Sequence, residues 1–269
     1  GQGIWIDNKA GIAFGHRRLS VLDPSEGGRQ PMISHDEQLV LTYNGEIYNY
    51  RTLRSDLERR QVKFVTNSDT EVILNSYISS GPDCLNRFNG MFAFAIWDGR
   101  RRRLFLARDR VGKKPLYYRI DHRGLIFGSE LKALLATGQV ERHVDLHGVN
   151  QYITYQYIPA PRTIFQGVSK LPAAHWMTID AHGQVHQKRY WRPEYTTIDT
   201  ASVLSDQEYA QQLLELLRES VQLRLISDVP LGAFLSGGID SSIIVALMAQ
   251  VSSQQVKTFS IGFEEETYD

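Results

Sequence analysis

Residues 231–251 read LGAFLSGGIDSSIIVALMAQV, an order of residue types that spells strand, loop, helix. The apolar run 231–235 ends in Ser236-Gly237-Gly238, and Ile239, Ile243, Leu247 and Val251 then recur at helical spacing. Two consecutive glycines let a backbone approach a ligand closely. The first turn of the following helix points unpaired N–H groups at the same spot, where the helix dipole favours an anion. Phosphate is the natural guest. Asp240 adds a carboxylate for a phosphate-bound magnesium ion, and the hydroxyls of Ser236, Ser241 and Ser242 add donors for phosphate oxygens. The lysine that closes a GxxxxGK[ST] loop is missing, so this is a different nucleotide loop. A lone Gly-Gly turn would read as an ordinary capped turn between strand and helix. The full SGGxDSS string in this context favours the nucleotide.

Composition bounds the rest. At 269 residues the chain is long enough for one large or two ordinary domains. Hydrophobic content of 42% and charge of 22% fit a globular protein, and thirty basic residues balance thirty acidic ones. That balance gives no electrostatic footprint for nucleic acid or an anionic membrane. No stretch of about 18 apolar residues is present to span a bilayer, and no charged-then-apolar leader opens the sequence, so a cytoplasmic location is expected. The single cysteine, Cys84, excludes an internal disulfide and a zinc cluster and reads as a packing residue.

Along the chain, residues 1 to about 130 carry short strand-like runs at 11–15, 38–43, 91–97, 104–107, 116–120 and 125–127, separated by turn signals. Two helical segments interrupt them. The first, about 50–60, has Leu53 and Leu57 on one face; the second opens with the capping-box pattern Ser68-Asp69-Thr70-Glu71 and continues with Val72, Ile73, Tyr77 and Ile78. Such blocks argue an α+β fold. The charge run Arg100-Arg101-Arg102-Arg103 reads as a solvated hairpin tip, with an anion or partner site as the alternative. Residues 129–138 and 145–155 are short helix candidates, and 159–191 reads as loops and short strands. The polar stretch 192–204 reads as a linker. A second domain opens at Ser205 with another capping box, and Ala210, Leu213, Leu214, Leu217 and Val221 form one apolar helical face. Residues 256–263, VKTFSIGF, add a strand that completes a βαβ unit. Two parallel strands cannot cover their own faces, so this domain is expected to be incomplete as it stands.

Residues 41–49, LTYNGEIYN, break an apolar run with Asn44-Gly45-Glu46. An asparagine beside a glycine at a strand end can aim a side-chain amide and a backbone N–H at one point, which is what acyl transfer requires for its oxyanion. Asn-Gly is also the commonest tight-hairpin signal. Arg18 can hold a carboxylate in bidentate fashion, while Glu46 and Asp69 can take an ammonium group. An arginine and carboxylates together describe a free amino acid recognised by both ends.

The loop at 236–242 resembles the pyrophosphate loop of the ATP pyrophosphatases. HRRLSVLD, YNGEIYN, SDTEV, GMFAFAIWD, ARDRVGKKPLYY and FGSELKALL resemble the glutaminase domain of the glutamine-hydrolysing asparagine synthetases, and SDVPLGAFLSGGIDSS with TFSIGF resembles the start of their synthetase domain. The resemblance implies an N-terminal-nucleophile hydrolase fold, a four-layered αββα sandwich over 1–191. After the linker it implies the beginning of an α/β ATP pyrophosphatase domain over 205–269. It implies that Arg18 and the residues up to Leu22 hold the glutamine α-carboxylate and that Glu46 and Asp69 meet its amino group. Asn44 with the Gly45 N–H would form the oxyanion hole. Leu235, Ser236, Gly237, Gly238, Asp240, Ser241 and Ser242 would surround ATP, with Asp240 on the pyrophosphate-bound Mg2+ and Ile261 against adenine. The implied substrates are glutamine, aspartate and ATP, with no nucleic-acid or membrane partner; a homodimer is compatible with it.

The family's nucleophile is an N-terminal cysteine whose own amine can act as base. Residue 1 here is Gly1, and Cys84 is internal. The downstream SGEGSDE-type motif is also missing. The sequence therefore reads as a piece of a longer chain, expected to be inactive by itself in both half-reactions. The alternatives are an amidotransferase acting on another carboxylate, such as a peptide or cell-surface product, and a non-catalytic amino-acid-binding protein. The β-lactam synthetases of this superfamily use no glutamine, and the intact glutamine-site set argues against them.

Overall fold

A computed structural model describes residues 1–19, 21–195 and 204–262. The chain divides into two compact units, Gly1–Pro193 and Glu194–Asp269.

The first unit is built on a strand whose residues are buried on both faces. β4 (Leu39–Ile47) follows a hairpin of β1 (Gln2–Asp7) and β2 (Ile12–Arg17) and the short β3 (Met32–Ile33). It is succeeded by α1 (Tyr50–Arg59), α2 (Asp69–Ser80), a 3-10 turn (Gly81–Arg87), β5 (Gly90–Asp98) and β6 (Arg103–Arg108). Then come β7 (Tyr117–Asp121), β8 (Gly124–Gly128), α3 (Leu131–Leu135), α4 (Leu146–Tyr155), β9 (Ser169–Lys170), β10 (His175–Asp180) and β11 (Val185–Arg189). A six-stranded sheet runs β11-β10-β6-β5-β4-β3, every neighbouring pair antiparallel.

Alternation along β5 explains the layers. Phe92, Phe94 and Ile96 face one way, where Phe94 meets Phe105 and Phe105 meets Tyr77 of α2 with ring centroids 5.0 Å apart. Ala93, Ala95 and Trp97 face the other way and pack with Phe14 of β2, Val40, Leu104, Leu106 and Met177, beside Tyr118 and Phe127 of the β8-β7-β9 sheet. Leu134 of α3 covers that sheet from outside, against Val140 and Val168. Helix, sheet, sheet, helix is the αββα order, with the core between the two sheets and under α1 and α2.

Several details differ from the sequence reading. β1 was not legible because its apolar residues Ile4 and Ile6 point outward, 78% and 59% exposed. Asn44-Gly45 lies inside the last four residues of β4, paired to Ala93 and Phe92 of β5, so it is not a hairpin turn, and the strand runs on past it to Ile47. At α2 the capping box is half made: Ser68 accepts from the Thr70 N–H, but the Glu71 carboxylate turns to Val65 and Thr66 instead. Arg100–Arg102 form a hairpin tip between β5 and β6 and Arg103 opens β6; Arg100 pairs with Asp36, Arg101 with Asp98, and Arg103 donates to the Tyr77 hydroxyl. Cys84 is buried.

The second unit comprises α5 (Asp206–Arg224), β12 (Gly232–Phe234), α6 (Ile239–Val251) and β13 (Lys257–Phe259). Ser205 and Glu208 form a complete reciprocal capping box on α5. β12 and β13 pair in parallel with α6 as the crossover, and the Leu235 N–H extends the ladder to Phe259 O at 2.8 Å. Of the apolar face expected on α5, only Val221 is buried, packed on Leu247 and Met248 of α6, while Leu213 is 57% exposed. The expected strand 256–263 is shorter, and Phe263 lies outside the described residues, as do 196–203 of the expected linker. Among the described residues no helix is long and apolar enough to cross a membrane.

Candidate functional site

β4 places Thr42, Asn44 and Glu46 on its face toward the second sheet layer, and Tyr43 and Ile47 on the helix side. Gly45 is required by close approach: a Cβ there would stand 2.1 Å from Met91 O and 2.8 Å from Phe92 Cα on the neighbouring strand. The Asn44 side-chain amide donates to Ser129 Oγ at 3.2 Å. One amide hydrogen is thereby used to fix the side chain, and the second remains for a ligand oxygen. Ser129 comes from the turn after β8, 85 residues away, and nothing in the local pattern at Asn44 announces it.

Asp69 is the first residue of α2 and is 5% exposed. Its Oδ2 accepts from the Tyr43 hydroxyl at 2.8 Å and from the Ile47 N–H at 3.0 Å. Burial raises the Asp69 carboxyl above the ordinary carboxylate range, against the pull of the Ile47 N–H, the Tyr43 hydroxyl and the Arg18 guanidinium. The same burial, with Asp69 beside it, pushes the Tyr43 phenol well up. The Tyr43 N–H donates to Gln30 Oε1 at 2.7 Å, and Gln30 Nε2 reaches Thr70 Oγ1 at 3.4 Å, so the end of β4 and the start of α2 are tied by side chains.

Arg18 follows β2. Its Nη1 donates to Asp23 O at 2.9 Å and its Nη2 to Leu22 O, which closes the loop around the guanidinium and leaves other N–H groups of the fork for an incoming carboxylate. Gly28 presses on this group, since a Cβ there would lie 2.5 Å from Nη1 and 2.4 Å from Asp23 O. Asp23 Oδ2 accepts from the Asn67 N–H at 3.1 Å, joining the Arg18 loop to the segment that leads into α2. Ser20 lies outside the described residues. His16, two positions before Arg18 on the inward face of β2, meets Thr42 Oγ1 at 3.2 Å. Burial first, and then the Arg18 guanidinium, hold the His16 imidazole down to about 4, which keeps it neutral at pH 7. Arg18, Asn44, Glu46 and Asp69 thus lie around one end of β4.

In the second unit Gly238 caps α6 without any side-chain cap, and Gly237 adopts φ +80° with open space where a Cβ would be. The expected serine donors are partly committed within the loop. Ser241 and Ser242 both donate to Gly238 O, at 3.1 and 2.8 Å, and Ser236 Oγ pairs with Ser241 Oγ at 3.1 Å. What the loop offers outward is its first-turn backbone N–H groups together with the Asp240 carboxylate. Among the described residues no group of three or more His, Cys, Asp or Glu side chains could hold a metal ion by itself. A single carboxylate fits a magnesium ion bound mainly through phosphate oxygens and water. Ile261 is 70% exposed beyond β13.

The chain has counterparts among known proteins. The chain belongs to the glutamine amidotransferase domain family, whose model matches residues 1–191. The asparagine synthase family model matches residues 212–269. The putative asparagine synthetase (glutamine-hydrolyzing) 2 of Methanocaldococcus jannaschii is 38% identical over 284 residues, covering 98% of this chain and 54% of that protein. Asparagine synthetase (glutamine-hydrolyzing) 3 of Bacillus subtilis is 40% identical over 269 residues, covering 97% of this chain and 42% of that protein. The chain therefore spans about half or less of these relatives. Among solved structures, the B. subtilis glutamine phosphoribosylpyrophosphate amidotransferase complexed with ADP and GMP superposes with a TM-score of 0.50 at 19% identity, covering 92% of this chain and 51% of that one. At that identity the likeness establishes the fold alone.

Proposed function

We propose that this chain supplies the glutamine site and the pyrophosphate loop of an ATP-dependent, glutamine-hydrolysing asparagine synthetase. The observation that carries the reading is the juxtaposition of the Arg18 fork, the buried Asp69 carboxylate and the anchored Asn44 amide at one end of β4. An α-amino acid with a side-chain carboxamide satisfies all three: its carboxylate meets Arg18, its ammonium meets Asp69 and Glu46, and its amide oxygen meets the Asn44 amide with the Gly45 N–H. A cysteine thiolate attacking the carboxamide would release ammonia and leave a thioester that water clears. Cys84 does not qualify, because it is buried and burial drives its thiol far from ionisation. At the second site the α6 N-terminus would bind the phosphates of ATP, with Asp240 holding the phosphate-bound magnesium, while aspartate is converted to β-aspartyl-AMP, and ammonia would then give asparagine. Bound magnesium would neutralise the departing pyrophosphate.

Titration calorimetry of the chain against glutamine and, separately, against magnesium-ATP tests the reading; binding of neither ligand would overturn it. Asparagine release from aspartate by the whole protein tests the acceptor. Two variants locate the sites. Gly28→Ala forces the Arg18 loop outward and is expected to weaken glutamine binding roughly tenfold, about 1.4 kcal/mol, with magnesium-ATP binding unchanged. Asp240→Asn is expected to do the reverse, weakening magnesium-ATP about tenfold and sparing glutamine.

A further inference from the structure

The tie between Tyr43 and Asp69 is a feature that no requirement of the fold demands. A buried tyrosine needs a partner for its hydroxyl, and a backbone carbonyl would suffice. Here the hydroxyl instead meets the carboxylate at the start of α2, and the Ile47 N–H meets the same oxygen. Two donors on Oδ2 stop the carboxyl group from rotating about its terminal torsion, which is otherwise broad. With Oδ2 engaged twice, Oδ1 is the oxygen with capacity for a ligand donor. The Tyr43 backbone is itself pinned, through its N–H, by Gln30.

We infer that Tyr43 is a positioning residue for amino-group recognition: its hydroxyl orients the Asp69 carboxylate so that Oδ1 receives the ammonium of an α-amino acid. The inference rests on the glutamine reading above and adds to it a residue that touches no ligand atom. The Tyr43 hydroxyl of β4 and the Arg18 guanidinium beyond β2 act on the Asp69 carboxyl, while Glu46 of β4 and Tyr48 just beyond it act on the Tyr43 phenol. Tyr43 favours the charged carboxylate by donating to it, so losing the hydroxyl raises the pH at which Asp69 protonates. Protonated Asp69 cannot pair with an ammonium group, and glutamine affinity must then fall at a higher pH than in the parent chain.

Tyr43→Phe tests this while keeping the ring that packs beneath Gly45. Calorimetry is run with glutamine and with its deamino analogue, 5-amino-5-oxopentanoate, across pH 5–8. The expected result is a roughly tenfold weaker glutamine complex, an analogue affinity within about twofold of the parent, and an acid limb of glutamine binding displaced to higher pH. Equal weakening of both ligands, or an acid limb that does not move, would mean that Tyr43 acts only through packing and would sink the inference alone. If the parent chain bound the analogue as tightly as glutamine, no amino-group site would exist and the inference would fail. If it bound neither, the glutamine reading itself would fall.

Discussion

Asp109→Ala is expected to lower the melting temperature of the first unit by about 10 °C. Asp109 is fully buried at the end of β6, with four backbone N–H groups on its carboxylate. Val111 and Lys113 donate to Oδ1 at 3.2 and 2.9 Å, and Phe92 and Lys114 donate to Oδ2 at 3.1 and 2.9 Å. The loop that follows has no ladder of its own, so this carboxylate and its neighbour hold it. Arg108 donates to the carbonyls of Gly112, Lys114 and Leu171, each at 2.7 Å. Each buried donor left unmade costs about 1–3 kcal/mol, and water entering the vacated space recovers part of that. A net loss of roughly 3–4 kcal/mol follows, at about 2–4 °C per kcal/mol for a unit of this size. Asp109→Asn keeps the shape but offers one acceptor oxygen where there were two, so a smaller loss is expected. Calorimetric melts of the three proteins check the order; a shift under about 3 °C for Asp109→Ala would show that the loop is held by other contacts.

The sequence made legible what depends on local order. Residues 231–251 fold as strand, loop and helix because the glycine pair and the apolar spacing are adjacent in the chain, and β5 follows from GMFAFAIWD for the same reason. It also singled out Arg18, Asn44, Glu46 and Asp69, whose motifs are contiguous. The partners that orient them were not legible, because they come from afar. Ser129 reaches Asn44 across 85 residues, and Tyr43 reaches Asp69 across 26. Tyr43 had a ready alternative as a core aromatic, and no spacing rule separates a packing tyrosine from one that holds a carboxylate. The intraloop partners of the serine hydroxyls at 236–242 were not legible for a related reason. Composition says what they can donate, but the turn geometry decides that Gly238 O receives two of them. β1 escaped because periodicity marks a strand by its buried face, and this strand turns its isoleucines outward.

Asn44-Gly45 shows how a local signal changes meaning with context, and it yields the prediction with the widest consequence. As a dipeptide it advertises a tight turn, yet here it runs straight through β4 opposite Phe92 and Ala93. The glycine is needed for space: its missing Cβ would fall 2.1 Å from Met91 O and 2.8 Å from both Phe92 Cα and Tyr43 Cε2. The first two are backbone atoms of β5, and no rotamer change can move them aside. Gly45→Ala must therefore part β4 from β5 locally, and overpacking of this kind costs about 1–3 kcal/mol. The parting falls between Asn44 and Glu46 and directly above Tyr43, so the proposed oxyanion donors and the Asp69 tie are displaced together. Glutamine binding is expected to drop at least about fiftyfold, roughly 2.3 kcal/mol. Melting should fall by about 6 °C, at 2–4 °C per kcal/mol. Magnesium-ATP binding by the same preparation serves as the control and should be unchanged, because its loop belongs to the other compact unit. Should the variant melt lower yet bind glutamine normally, the end of β4 would tolerate displacement and could not be the site that recognises the amide.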